Sequence, residues 1–176
     1  MSQGNGIGGH QSHRMKNDEW LTPKEIIEAL GPFDTDPCAP IVRPWDTAKL
    51  HYTVNDDGLN KPWFGNVWLN PPYGSHVGRW MNRLRTHGTG IALVFARVET
   101  EWWFSEIWDF ADAVFFPKGR LTFCYVNGQK ADNNSGAPSA FVAFGRANAD
   151  RLKNWNLNGK FLPLYDLKDE RIQKTD

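Results

Sequence analysis

The stretch Val67-Trp68-Leu69-Asn70-Pro71-Pro72-Tyr73 decides how this chain is read. It closes an apolar segment, Trp63 to Leu69, that predicts a buried strand. That strand delivers Asn70 at its carboxyl end. Asn brings a side-chain carbonyl that accepts hydrogen bonds. Pro71 and Pro72 fix the backbone and carry no N–H, so the corner they form presents carbonyl oxygens. Tyr73 brings a flat ring on which a base or an amide plane can stack. A stiff, donor-poor corner of this kind grips a planar –NH2 group. The structural alternative is a plain strand followed by a Pro-Pro-Tyr-Gly turn.

Downstream, residues 76–87 predict an amphipathic helix with Trp80, Met81 and Leu84 inward and Arg79, Arg83 and Arg85 outward. Ile91 to Ala96 is a continuous apolar run, as in a strand buried on both faces of a parallel sheet. Thr100 is placed to cap a helix running to about Phe110, and Ala113 to Phe116 reads as a strand. Pro117-Lys118-Gly119-Arg120 is a turn into a further strand, Leu121 to Val126, followed by a polar loop and a last strand, Ser139 to Gly145. From Arg146 the chain is polar apart from Trp155 and Phe161-Leu162.

Upstream, Thr22-Pro23-Lys24-Glu25 has the form of a capping box with Pro23 at the first helical position. Ile26, Ile27 and Leu30 mark that helix's apolar face, and Gly31 ends it. Pro32 to Asp36 predicts a short strand, Pro37 to Pro40 a tight loop. Residues 41–62 are irregular, with His51-Tyr52-Thr53 extended and Asn55 to Gly58 a turn. Residues 1–17, rich in Gly, Ser, Gln and His, are expected as a flexible arm, residues 18–165 as the domain and residues 166–176 as a polar tail.

Strands alternating with helices indicate an α/β class, and ligands of open α/β sheets bind at the carboxyl ends of strands. Asp36-Pro37-Cys38 and Asn70 to Tyr73 both fall there, so one crevice accommodates both.

Composition narrows the classes further. At 176 residues the chain is one domain by expectation. Lys and Arg number 20, as do Asp and Glu, which argues against a strongly basic nucleic-acid coat without excluding a local basic face. Cys38 and Cys124 lie far apart, and the five histidines lack metal-ligand spacing, so neither disulfides nor a metal site is expected. No apolar stretch is long enough to span a bilayer, and a soluble, cytoplasmic protein is expected.

The tetrapeptide resembles the signature of amino-group methyltransferases that use S-adenosylmethionine. The likeness narrows with Gly8-Gly9-His10, Asp18-Glu19-Trp20-Leu21-Thr22-Pro23, Phe33 to Ala39, Asp57-Gly58-Leu59, Trp63, Thr100 with Trp103-Phe104, and Gly119 to Phe123. Together these resemble the phage-type DNA N6-adenine methyltransferases, from about residue 8 to 145.

The resemblance implies a Rossmann-like fold: a mostly parallel sheet with a C-terminal antiparallel hairpin, with room for a trimmed sheet. It implies DNA as partner, no membrane, and the cytoplasm of a bacterial host if the chain is phage- or prophage-encoded. Asn70 and Pro71 would accept hydrogen bonds from the exocyclic amine of a flipped adenine, Pro72 would stiffen the corner, and Tyr73 would stack on the base. Trp20, Thr22, Pro23, Asp36, Pro37, Cys38 and Asp57 would hold the methyl donor. For Asp36 and Asp57 the alternatives are a loop-capping carboxylate and a turn residue; for Trp20 it is a hydrophobic staple. Arg79, Arg83, Arg85, Lys118 and Arg120 would meet DNA, with a solvated helix face as the alternative for the three helix arginines and hairpin pinning for Arg120.

The chain departs from the wider superfamily in one respect. The loop Asp36 to Pro40 has no glycine, where a Phe-x-Gly-x-Gly loop normally lets the backbone approach the donor. Rival substrates keep the same chemistry: the N4 amine of cytosine, or the amide of a protein glutamine. Cytosine carbon-5 chemistry needs a cysteine nucleophile, for which Pro37-Cys38 is a superficial match. A non-catalytic DNA-binding module is the rival from another class.

Overall fold

The computed structural model describes residues 20–165. The N-terminal arm, the tail after Tyr165, and the Gly8-Gly9-His10 and Asp18-Glu19 segments lie outside the described residues.

Seven strands form one sheet in the order β2-β1-β3-β4-β6-β5-β7. They are β1 (Thr35–Asp36), β2 (Leu50–His51), β3 (Val67–Leu69), β4 (Gly90–Phe95), β5 (Ala113–Pro117), β6 (Ser139–Phe144) and β7 (Gly159–Pro163). The pairs β1–β2, β1–β3 and β3–β4 are parallel. The pairs β4–β6, β5–β6 and β5–β7 are antiparallel. The α/β class therefore stands, but the C-terminal side is antiparallel throughout and not a single hairpin on a mostly parallel sheet.

Period-two alternation puts successive strand residues on opposite faces. Val67, Leu69, Ala92, Val94 and Val142 join one cluster. It includes Trp80, Met81 and Leu84 of helix α2 (Val77–His87), and Trp103 of helix α3 (Glu101–Trp103). Trp68, Ile91, Leu93, Phe141 and Ala143 face the other cluster. There they meet Ile26, Ile27 and Leu30 of helix α1 (Lys24–Leu30), with Ala149 and Leu152 of helix α4 (Arg146–Asn154). Helices cover both faces of the sheet.

The helix expected to run from Thr100 is a single α-turn that widens at once into a π-helical turn, Phe104–Trp108. Helix α2 ends as its sequence indicates. Gly88 takes a left-handed φ of 85° and donates its N–H to Leu84 O at 2.9 Å.

Three expectations need correction. The capping box does not form. Pro23 is the cap itself and its carbonyl accepts from the Ile26 and Ile27 amides, while the Thr22 hydroxyl makes no bond to the Glu25 amide it was expected to serve. Leu121 to Val126 is not a strand of the sheet. Instead it crosses the sheet edge, where Cys124 pairs with Leu21 through two backbone hydrogen bonds of 2.9 Å. The segment from Arg146, read as a polar tail, supplies α4 and the edge strand β7.

Because β1 to β4 are parallel, their carboxyl ends share one edge. β5 and β4 are both antiparallel to β6, so β5 points the same way and residues 118–138 leave at that edge too. The tip of this loop reaches the far side: a Cβ on Gly128 would lie 2.9 Å from Pro44 Cγ. No helix among the described residues is long and apolar enough to cross a membrane.

Candidate active site

A cavity of about 450 Å³ opens at the shared carboxyl edge. That lies within the usual range for small-molecule sites. Its walls bring together Asn70, Pro71, Pro72 and Tyr73 from the β3 corner, Asp36, Pro37 and Cys38 from the end of β1, Trp20 and Thr22 from the segment before α1, and Asp57. Pro23 is buried but belongs to the start of α1 and not to these walls.

The Asn70 amide has a partner of opposite kind at each end. Its Nδ2 donates to the Trp20 carbonyl at 3.4 Å, and its Oδ1 accepts from the Tyr73 hydroxyl at 3.5 Å. Both contacts are at the long end of the hydrogen-bond range. The Tyr73 ring stacks on Phe95, centroids 4.0 Å apart and planes 9° from parallel. Burial pushes its phenol well above the usual range, so the hydroxyl keeps its proton.

Asp36 is 3 % exposed. Its Oδ1 accepts from the Cys38 amide at 2.9 Å and its Oδ2 from the Thr47 hydroxyl. Burial raises its carboxyl to about 6, against the pull of those two bonds and of Arg43. Hydrogen bonds satisfy it, and among the described residues it has no ion-pair partner within 4 Å. The Cys38 thiol is pushed up by burial and by the Asp36 charge. Thr22 is 2 % exposed, and its Oγ1 has no hydrogen-bond partner. Asp57 is an exposed turn residue with φ 56°, and it holds Asn60 Nδ2 at 2.6 Å.

Sequence reasoning missed Gly58, Thr47 and Trp80 as cavity residues. Gly58 is the informative one. A Cβ there would collide with the Pro37 carbonyl, and the Gly58 carbonyl is held by Trp63 Nε1 at 2.8 Å. A glycine is therefore required where this loop packs against the Pro37 backbone beside the cavity.

The cationic residues divide. Arg85 pairs with Glu106 at 2.9 Å and lies over Phe110, 4.1 Å from the ring centroid. Arg83 donates to Lys61 O at 2.7 Å and lies over Trp63. Both are half-buried and committed to the fold. Arg79 is exposed and lines a separate groove with Arg83, Asn82 and Glu106. Arg120 pins the base of the 118–138 loop by donating to Gly136 O at 2.7 Å and Ser135 O at 3.3 Å. Lys118 is exposed at the cavity's edge of the sheet, with no side-chain hydrogen bond or ion pair among the described residues.

An α/β fold with a cavity at the shared carboxyl edge of its parallel strands is what the structure defines. Comparison with family models makes it specific: the model for DNA N-6-adenine-methyltransferase (Dam) matches residues 9–154, well over half of the chain, and the chain belongs to that family. Its activity is methylation of adenine N6 in DNA, with S-adenosylmethionine as the methyl donor that the family implies. No curated protein and no solved structure matches the chain.

Proposed function

We propose that this cavity methylates an adenine flipped out of duplex DNA, with Asn70 to Tyr73 as the clamp and the β1 end as the donor site. One observation carries the reading. The donor-poor corner at the end of β3 opens into the same cavity as a buried carboxylate and an unpartnered buried hydroxyl.

The residues fit the donor. Bound there, S-adenosylmethionine supplies an electrophilic methyl group on a sulfonium. Asp36, without an ion-pair partner of its own among the described residues, would hold the donor's ammonium, and Thr22 Oγ1 would donate to its carboxylate. Trp20, Trp68 and Trp80 give the cavity aromatic walls that suit a cation. Asp57 keeps its turn role beside the mouth.

Asn70 Oδ1 and the Pro71 carbonyl accept the two amine hydrogens of the base. That draws density toward nitrogen and aims its lone pair. The amine must leave the base stack to be reached. With the donor bound, transfer there would give nitrogen the methyl carbon, leave the bonding pair on sulfur and release one N–H proton. No side chain bonds to the substrate, and most of the rate comes from positioning two bound partners. The raised Cys38 thiol supports this non-covalent route, because the thiolate is the nucleophile and is scarce there.

The test is incubation of duplex DNA with protein and donor, followed by detection of N6-methyladenine. Methylated adenine is expected with the wild-type and Cys38→Ser chains, and none above background with Asn70→Ala. Turnover at wild-type rate in Asn70→Ala would reject the clamp. A folded but inactive Cys38→Ser would restore a covalent route.

A further inference from the structure

We propose that the main-chain carbonyl of Trp20 is a positioning group: it turns the Asn70 amide so that oxygen faces the substrate amine, and so requires an amide, not a carboxylate, at position 70. The proposal rests on the clamp reading above.

The two ends of an amide are chemical opposites, one donating and one accepting. The Trp20 carbonyl can only accept, so it admits only the nitrogen end of Asn70. The Tyr73 hydroxyl, held protonated by burial, donates to the oxygen end. Both bonds are long, and orientation follows from which end each partner tolerates, not from bond strength. Trp20 is itself held by the 118–138 loop. Leu21 and Cys124 exchange two backbone hydrogen bonds, and the Trp20 ring lies 5.5 Å from that of Tyr125. A segment remote from the tetrapeptide thereby sets the geometry of its first residue.

A carboxylate at position 70 would set an oxygen against the Trp20 carbonyl. The cavity offers it no cation. Its titratable lining is Asp36, Cys38, Asp57 and Tyr73. Arg43 acts on Asp36, and on the Cys124 side Glu25 pairs with Lys130 near Tyr125. A protonated carboxyl restores the missing donor toward Trp20.

The experiment is Asn70→Asp in the full chain. Thermal unfolding and methyl transfer are both compared with wild type from pH 5 to pH 8. The fold raises the new carboxyl, so its stability is whole at acid pH and is lost as pH rises through the raised value. The expected result is a midpoint near wild type at pH 5 that falls behind by about 3 °C or more at pH 8. Relative methyl transfer should fall at least about tenfold over the same range. The trend in unfolding midpoint should persist in an Asp36→Asn background. A pH-independent midpoint difference, or a trend that vanishes in that background, overturns the proposal. Should Asn70→Asp fail to fold at every pH, hydrogen exchange of the wild-type Asn70 side-chain amide decides. Slowed exchange supports the contact with Trp20, and exchange as fast as that of an exposed Asn overturns it. Loss of methyl transfer in wild type would sink the clamp reading alone, because unfolding and exchange still judge this one.

Discussion

The two halves of the sheet are built to different ends. On the parallel side, β1 and β2 have two residues each and β3 has three, yet the loops leaving the carboxyl ends of β1, β2 and β3 supply much of the cavity wall. On the antiparallel side, β5, β6 and β7 have five or six residues each, pair in continuous register, and contribute no side chain to that wall. Short strands release the chain early into loops, where binding groups converge. Longer apolar strands hold the edge steady. β4, buried along nearly all of its length, joins the two halves.

Mutating one half should leave the other's property intact, and the largest effect belongs to the antiparallel half. Phe141 of β6 is fully buried and meets Trp155 with ring centroids 4.8 Å apart. Phe141→Ala should cost about 3–5 kcal/mol of stability in denaturant unfolding, with turnover per folded molecule within about twofold of wild type. Asn70→Ala should do the reverse. Losing one preorganised hydrogen-bonding group costs about 10²–10³ in rate, while the unfolding midpoint barely moves, because the side chain's contacts at 3.4 and 3.5 Å are weak. A Phe141→Ala protein that is stable but inactive would dissolve the division of labour.

Asp36 stands where the division is least clean, because the site there is bought with stability. Burial raises its carboxyl from 3.8 to about 6. A raised carboxyl gives stability that is fully present below its unfolded value and lost as pH rises through its folded one. In the empty protein the loss between pH 4 and pH 7 is up to about 3 kcal/mol, and Asp36→Asn should flatten that part of the curve. Donor binding should run the other way. In wild type it weakens below pH 6, by at most about tenfold per pH unit, as the carboxylate is protonated. Calorimetry showing donor affinity independent of pH between 5 and 7 would remove Asp36 from the donor site.

What was legible in the sequence follows the same boundary. Asn70-Pro71-Pro72-Tyr73 could be read because proline geometry and amide chemistry are local, and Asp36 to Cys38 because they end a short strand with an acidic residue followed by a tight loop. Gly58 and Thr47 could not, since only the fold of residues 41–62 brings them to Asp36 and Pro37. Thr22 was placed at the cavity but given a second role as a helix cap, and the cap position falls on Pro23 with no side-chain capping bond. Leu121 to Val126 was misread because its partner, Leu21, lies a whole domain away in sequence. Helix α4 escaped notice because its buried face is small, formed by Asn148, Ala149 and Leu152 among polar residues. Edge strand β7 escaped because it is only half covered.

The smallest expected effect tests the cations, where sequence offered five alike and the structure separates them. Arg85 is tied to Glu106 and Phe110, so Arg85→Ala should cost stability through lost packing. It should leave the salt dependence of DNA binding as it was. Lys118 is exposed at the active edge without a protein partner among the described residues. Lys118→Ala should leave stability within about 0.5 kcal/mol and reduce the slope of log binding constant against log salt by about one. The comparison is direct because both changes remove one positive charge. Were the two variants to lower the slope equally, location relative to the cavity would not matter, and DNA would be held by the whole basic complement instead of by the loops at the carboxyl edge.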